Sequence, residues 1–142
     1  MQNPPPYQQQ YGAPPQGDPS GGKGPLGLAP NVAAMLCYTP CCIGLIFSII
    51  AIITEKTNRL VKFHMWQALM LYVAVIAISI VLGVLTSVLS MATRGAGGLL
   101  GLLQYPVGLF FLVVEIMMMI KANGGQMTKL PVIGDFAEKQ AG

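Results

Sequence analysis

The sequence is poor in charge, and this shortage excludes most soluble protein classes. Only 9% of its 142 residues are Asp, Glu, Lys or Arg, against roughly 25% in an average soluble domain. Hydrophobic residues make up 54% of the chain. A soluble protein this small exposes much of its surface and needs charge to remain dispersed. The composition excludes a soluble globular enzyme and a disordered chain, and it predicts an integral membrane protein.

The residue types that carry enzyme and metal chemistry are also scarce. The chain has one histidine, and its three cysteines, Cys37, Cys41 and Cys42, lie together in an apolar run. A nucleophile with a base and an orienting acid is missing, and so is a set of metal ligands at usable spacing. No basic block is present to follow a phosphate backbone. We expect no enzymatic activity, cofactor, metal site or nucleic-acid partner.

Residues 1–30 form a tail rich in Pro, Gly and Gln. Its apolar side chains are too sparse to offset the entropy of ordering the backbone, so we expect a disordered segment. It lacks the basic and apolar regions of a signal peptide. The run Pro4–Tyr7 fits a ligand of WW domains, although such runs also arise by chance in Pro-rich tails. The tail therefore predicts weak protein contacts at most.

The remaining residues, 31–142, predict an all-α membrane domain with three transmembrane helices. A helix of about 20 apolar residues crosses the hydrocarbon core, and the sequence offers Val32–Thr54, Met65–Met91 and Leu99–Ile120. Residues 121–142 are expected to lie at the membrane interface. The lipid bilayer is therefore the first expected partner.

The basic residues predict the orientation of these spans. With three crossings, six Lys and Arg residues lie on the side of the first loop and the C-terminus, and two lie on the other. The positive-inside rule then makes the first loop and the C-terminus cytoplasmic, with the N-terminal tail outside, in a bacterial inner membrane. A competing topology breaks the first span at Pro40 into a re-entrant pair and returns the tail to the inside. A proline is tolerated within a span, so a single kinked span is the expectation.

Polar residues within or beside the spans are the candidate functional residues. Glu115 is the one formal charge inside a span, which makes it a candidate for an ion or proton path together with Gln104. Lys62, His64 and Gln67, at the start of the second span, lie on the same predicted inner side as Glu115. A structural interpretation is favoured instead: Glu115 pairs with Lys62 or His64 and locks the third helix to the second, or its carboxyl is kept neutral by desolvation.

Small residues recur at helical spacing in each span and predict helix packing. In lipid, helices associate where small side chains let their backbones approach closely. The candidate packing residues are Gly44, Ser48, Ser79, Gly83, Ser87, Gly101 and Gly108. A surplus face of this kind would suit a homo-oligomer or a larger membrane complex.

Two segments carry a family resemblance. The run Glu55–Leu69 (EKTNRLVKFHMWQAL) and the ending Lys121–Lys139 resemble small uncharacterised bacterial membrane proteins related to the Tic-twenty-like group, whose plastid members belong to a protein-import translocon. The matched positions are Asn58, Arg59, Phe63, His64, Gln67, Lys129, Pro131, Gly134 and Asp135. The resemblance implies an α-helical membrane domain and a structural or accessory subunit of unassigned activity. The alternative is a homo-oligomeric channel or transporter with Gln104 and Glu115 in its path.

Overall fold

The computed structural model describes residues 23–40 and 42–142. These residues contain five α-helices: α1 (Pro30–Leu36), α2 (Cys42–Thr54), α3 (Arg59–Ala92), α4 (Gln104–Asn123) and α5 (Ile133–Ala141). Short 3-10 helices precede α1 at Pro25–Gly27 and α4 at Ala96–Leu103. This part of the chain is therefore all-helical, as predicted. The Pro4–Tyr7 motif and the rest of residues 1–22 lie outside the described residues.

Two segments of the described residues are long and apolar enough to cross a membrane, Arg59–Ala92 and Ala96–Asn123. The expected first span, Val32–Thr54, does not form a third membrane-crossing segment. Its residues form α1 and α2, separated by a non-helical turn that contains Thr39 and Pro40. Proline lacks a backbone N–H and disfavours helical geometry in the residue before it. The prediction of one kinked span from Val32 to Thr54 is therefore wrong, and the break at Pro40 is the alternative that the structure adopts.

The two short helices form a hairpin that enters and leaves at one end of the molecule. The side-chain amide of Asn31, at the start of α1, donates a hydrogen bond of 3.1 Å to the carbonyl of Asn123, the last residue of α4. The end of α2 leads through four residues into the first residue of α3. The N-terminal flank, the first loop and the end of α4 thus share one end. The expectation that the N-terminal flank lies opposite the first loop is not what the structure shows.

At the opposite end, the short helix Ala96–Leu103 that leads into α4 packs closely against the end of α3. Gly95 turns the chain with a φ of 101°, in the left-handed region that glycine adopts without strain. At Gly97 a side chain would collide with the backbone of Leu89 and Ser90. Toward the other end, α1 packs against both α3 and α4. The two long helices therefore diverge, and the hairpin fills the space between and beside them.

The core lies around the first part of α3, where α1, α2 and the end of α4 meet it. Its fully buried side chains include Tyr38, Val61 and Met118. From Val73 onward, α3 leaves most of its large apolar side chains exposed, as does most of α4. In a membrane these exposed surfaces face lipid, which is as apolar as they are.

The C-terminal segment packs against the first turns of α3. Phe63 is buried against Ala137 and Ala141 of α5, and the rings of Trp66 and Phe136 meet edge to face at 6.2 Å. The residues expected to lie at the membrane interface therefore also cover one side of α3.

Candidate functional site

Three buried polar side chains meet where the hairpin, α3 and the C-terminal segment converge, and we call Tyr38, His64 and Gln67 the polar cluster. His64 and Gln67 are three residues apart on α3, a spacing that puts them on one helix face. Tyr38 reaches them from the turn between α1 and α2. All three side chains are fully buried, in the part of the molecule that holds the N-terminal flank from Lys23 onward and the C-terminus.

Every polar atom of the polar cluster has a partner with a consistent donor and acceptor role. His64 Nε2 lies 3.0 Å from the carbonyl oxygen of Gln126, so this nitrogen carries the proton. His64 Nδ1 then accepts from the Tyr38 hydroxyl at 3.2 Å. The same hydroxyl accepts from Gln67 Nε2 at 3.0 Å. The neutral imidazole therefore has a fixed tautomer, and a buried polar network satisfied in this way rigidifies its surroundings.

The second function of Gln67 is to bind the extended chain before α5. Its Nε2 also donates to the carbonyl of Thr128 at 3.1 Å, and its Oε1 accepts from the backbone N–H of Leu130 at 3.1 Å. A Cβ on Gly134 would lie 2.6 Å from Lys129 Cβ and 3.1 Å from Gln67 Oε1. Only glycine fits this close approach. One glutamine thus ties the C-terminal segment to the hairpin turn.

Two backbone carbonyls at the break in the hairpin have hydrogen-bond donors within the protein. The carbonyl of Thr39 accepts from the Tyr72 hydroxyl at 2.7 Å and from the backbone N–H of Gly44 at 3.1 Å. Ser48 donates to the carbonyl of Cys37 at 3.3 Å. Non-helical backbone at membrane depth requires such partners. Thr39 Oγ1 is fully buried and has no hydrogen-bond partner among the described residues.

Glu115 does not pair with the residues expected to bind it. His64 is engaged by Tyr38 and Gln126, and the described residues provide no hydrogen bond or ion pair to Glu115 or to Lys62. The Glu115 side chain is nevertheless only 7% exposed. It lies eight residues before Asn123, about 12 Å along α4, which is near the depth of the hairpin turn. Pairing of Glu115 with Lys62 or His64 is therefore wrong for this structure.

The other polar-path candidate, Gln104, lies apart from Glu115. It is exposed at the start of α4, and its Nε2 lies 3.5 Å from the carbonyl of Ser79. Eleven residues separate it from Glu115, a rise of about 16 Å. The two residues therefore contact different parts of the molecule.

The candidate packing residues divide by location. A Cβ on Gly44 would collide with Tyr72 and with the hairpin backbone, and one on Gly101 would touch Thr86 Cγ2 at 3.5 Å. Ser48 is buried, whereas exposed Ser87 bonds only within its own helix, to the carbonyl of Gly83. A Cβ on Gly83 or Gly108 would meet open space. A packing role for these last two stays a prediction.

Glu55 holds the turn between α2 and α3, a function that the sequence analysis missed. Its Oε1 accepts from the backbone N–H of Asn58 at 2.8 Å, and from the backbone N–H and the hydroxyl of Thr57 at 2.9 Å each. Burial opposes ionisation, but these hydrogen bonds outweigh it and hold the pKa of Glu55 below its ordinary value. Asn58 then caps α3 by accepting from the N–H of Val61 at 3.2 Å. An acceptor side chain before a long helix is a recognisable capping signal.

The hydrogen bonds of the site connect separate segments of the chain, which is a structural function. The side chains of the polar cluster bind each other and the backbone of the segment before α5. Glu55 likewise accepts mainly from backbone N–H groups of its own turn. The described residues contain no group of three or more His, Cys, Asp and Glu side chains that could hold a metal ion. What the arrangement does is to fix the hairpin and the C-terminal segment to α3.

Comparisons with known proteins identify relatives over most of the chain. A family model described as the magnetosome magnetite crystal formation protein family matches residues 29–137. A UPF0132 membrane protein of Methanocaldococcus jannaschii is 36% identical over 118 residues, covering 83% of this chain and 94% of the relative. One of Archaeoglobus fulgidus is 31% identical over 113 residues, covering 79% and 95%. No solved structure matches the chain.

These matches correct the resemblance stated above. The matching family and the archaeal relatives are not Tic-twenty-like, so the link to a plastid translocon is wrong. The relatives are named as membrane proteins, in agreement with the two apolar helices. A bacterial inner membrane as the location stays a prediction.

Proposed function

Because the chain belongs to the magnetosome magnetite crystal formation protein family, we propose that it is a structural or accessory subunit of a membrane assembly with no catalytic activity of its own. The observation that carries this proposal is the polar cluster. Its histidine, tyrosine and glutamine are fully occupied in joining three segments of the chain. A side chain with no free donor or acceptor is poorly suited to act on a substrate.

The distribution of charge supports a cytoplasmic location for both chain ends. Seven of the eight Lys and Arg residues lie at the end that carries the N-terminal flank, the first loop and α5: Lys23, Lys56, Arg59, Lys62, Lys121, Lys129 and Lys139. Arg94 alone lies at the other end. The positive-inside rule makes the basic end cytoplasmic. The hairpin then enters the membrane from the cytoplasm and returns to it.

The exposed side of α5 is the surface that we propose for a partner of this assembly. Lys129 forms an ion pair with Glu138 at 2.6 Å and a longer one with Asp135 at 3.5 Å. Their carboxylates hold the pKa of this exposed lysine above its ordinary value. Lys139 lies exposed on the same helix. A polar surface on a helix fastened to α3 gives a partner a fixed orientation.

Purification from native membranes in mild detergent tests the accessory function. We expect a stoichiometric partner with the wild-type protein, loss of this partner in Lys139→Glu, and its retention in Arg94→Glu at the opposite end. The second variant controls for the change of charge. A particle that contains this chain alone, or equal loss in both variants, would contradict the proposal.

A channel or transporter is the second candidate, favoured by Glu115 alone. This carboxyl is buried within a span and has no hydrogen bond among the described residues, and an intramembrane acid often marks an ion or proton path. Proteoliposomes with Glu115→Gln test it, with Gln104→Leu measured beside it. Ion or proton flux that the first substitution abolishes would favour the channel. Absence of flux in the wild type, or equal flux in the variant, would remove this candidate.

A further inference from the structure

The two halves of the membrane domain contain different numbers of helices. The half nearer the chain ends holds α1, α2, the first part of α3 and the last part of α4. The hairpin stops where the carbonyl of Thr39 meets Tyr72, 13 residues and about 20 Å from the start of α3. Beyond that depth, the part of the chain that the structure describes contributes only the remainder of α3, the Ala96–Leu103 helix and the start of α4. Four of the described helices therefore share the level of the first 14 residues of α3, and two share the level of its remaining 20 residues.

The outer face of the hairpin is suited to lipid. In α2 the exposed large side chains are Ile43, Ile46, Ile49 and Ile53. Their spacing of three or four residues puts them on one face of the helix, and no charged residue lies among them. The opposite face of α2, with Gly44, Ser48 and Ala51, is buried. Acyl chains of the leaflet at the basic end are the occupant that this uncharged face fits.

The divergence of α3 and α4 adds to the difference between the two halves. At the far end, Gly97 brings the chain against α3 with no room for a side chain. At the near end, α1 packs against both long helices and so keeps them apart. A helix with its side chains is about 10 Å across, so two more helices add roughly 160 Å² of cross-section. The protein is thus wider in one leaflet than in the other.

We propose that this wedge shape makes the protein bind preferentially to curved membranes, with the leaflet on the side of its chain ends forming the convex surface. A convex leaflet offers more area per molecule at its surface, which accommodates the wider half. The inference rests on the re-entrant placement of the hairpin proposed above. The proposed partner is a bilayer of defined curvature, which is more specific than a location in the membrane.

Reconstitution into vesicles of two sizes tests the proposal with the full-length chain. The protein, carrying a fluorescent tag after Gly142, is inserted into small sonicated and large extruded vesicles of the same phosphatidylcholine and phosphatidylglycerol mixture. Quenching by an impermeant reagent gives the fraction of molecules with the tag outside. We expect this fraction to rise by about twofold in the small vesicles. A fraction that is independent of diameter, or higher in the large vesicles, would overturn the proposal.

A matched pair of variants assigns the effect to the hairpin. One replaces Ile43, Ile46, Ile49 and Ile53 by Ala, and the other replaces Val81, Val84, Leu85 and Val88 on the far half of α3 by Ala. All eight side chains are exposed, so neither set fills the core, and helical circular dichroism checks the fold. We expect the first variant to lose the dependence on vesicle size and the second to retain it. Equal loss in both would contradict the proposal.

The same vesicles separate this proposal from the one on which it rests. A thiol introduced by Leu26→Cys, which replaces an exposed side chain, reports the side of the N-terminal flank. Labelling from the side opposite to the tag would overturn the re-entrant placement and the wedge together. Labelling from the same side, with a fraction independent of vesicle size, would overturn the wedge alone.

Discussion

Glu55 stabilises its turn through several hydrogen bonds, and all of them depend on the negative charge of its carboxylate. Its carboxylate accepts three hydrogen bonds in the turn that connects α2 to α3. Asn58, which donates one of them, also caps α3. The direction in which α3 leaves the hairpin is therefore set within four residues. Hydrogen bonds to a charged acceptor are stronger than those to a neutral one.

Replacement of Glu55 by Gln should destabilise the protein at neutral pH by about 1–2 kcal/mol, because the charge that strengthens these hydrogen bonds is lost. The folded pKa of Glu55 is lowered, so the unfolded state binds its proton more readily. The stabilisation is therefore fully present above the unfolded pKa of about 4.3 and disappears as pH falls through the lower folded pKa. Thermal unfolding in detergent should show the two proteins converging in acid. A difference that does not change with pH would count against this explanation.

Gly134 provides a second test at the residue scale. A Cβ there would lie 2.8 Å from Lys129 Cα and 2.6 Å from its Cβ, so Gly134→Ala should force α5 away from α3. We expect the free energy of unfolding of this variant to fall by about 1–3 kcal/mol. Gly108→Ala is the control, because its Cβ meets open space and alanine favours the helix. Limited proteolysis of the C-terminal segment measures both. Equal protection in the two variants would show that the close approach is not required.

The hairpin is the element that the sequence identified least well. Its 23 uncharged residues have the length of a transmembrane helix, and length alone predicts a crossing. Whether Pro40 kinks or breaks the helix depends on partners for the freed backbone groups. Those partners, Tyr72 and Gly44, are distant in sequence or ordinary in appearance. Pro40 indicated that the first span could break there, but no residue pattern favoured a break over a kink.

The polar cluster should be the least replaceable contact between elements. In Tyr38→Phe, the Nδ1 of His64 and one N–H of Gln67 would lose their partner while buried, at a cost of about 1–3 kcal/mol. Tyr105→Phe removes the hydroxyl of an exposed tyrosine on α4 and should change stability by less than about 0.5 kcal/mol. Chemical unfolding in detergent, with tyrosine and tryptophan emission as the readout, compares them. A similar small effect of both substitutions would show that the cluster is dispensable.

At the scale of the whole molecule, the fold class was predictable and the path of the chain was not. The scarcity of charge predicted a helical membrane protein. The two long apolar runs predicted α3 and α4, although the predicted starts differ from the observed ones by six residues for α3 and five for α4. His64 and Gln67 were singled out, but Tyr38 was not, because one tyrosine in an apolar run carries no pattern. The orientation of the N-terminal flank was predicted by counting crossings, so this prediction depends on whether Val32–Thr54 forms one span.

Side-specific labelling tests the arrangement of the whole chain. In a background without the native cysteines, Leu26→Cys and Arg94→Cys place single thiols at exposed positions at opposite ends. With an impermeant reagent, we expect position 26 to react only from the cytoplasmic side and position 94 only from the other. Reaction of both positions from the same side would contradict the re-entrant hairpin.

The separation in sequence between the hairpin turn and its partners has a consequence for biosynthesis. Tyr38 and Thr39 leave the ribosome 26 and 33 residues before the side chains of His64 and Tyr72 that receive them. At about 5–20 residues per second, this delay lasts roughly 1–7 s. The carbonyl of Gln126, which fixes the His64 tautomer, follows 62 residues after that histidine. The hairpin is thus translated before α3, α4 and α5, and its burial is completed only when nearly the whole chain has been made.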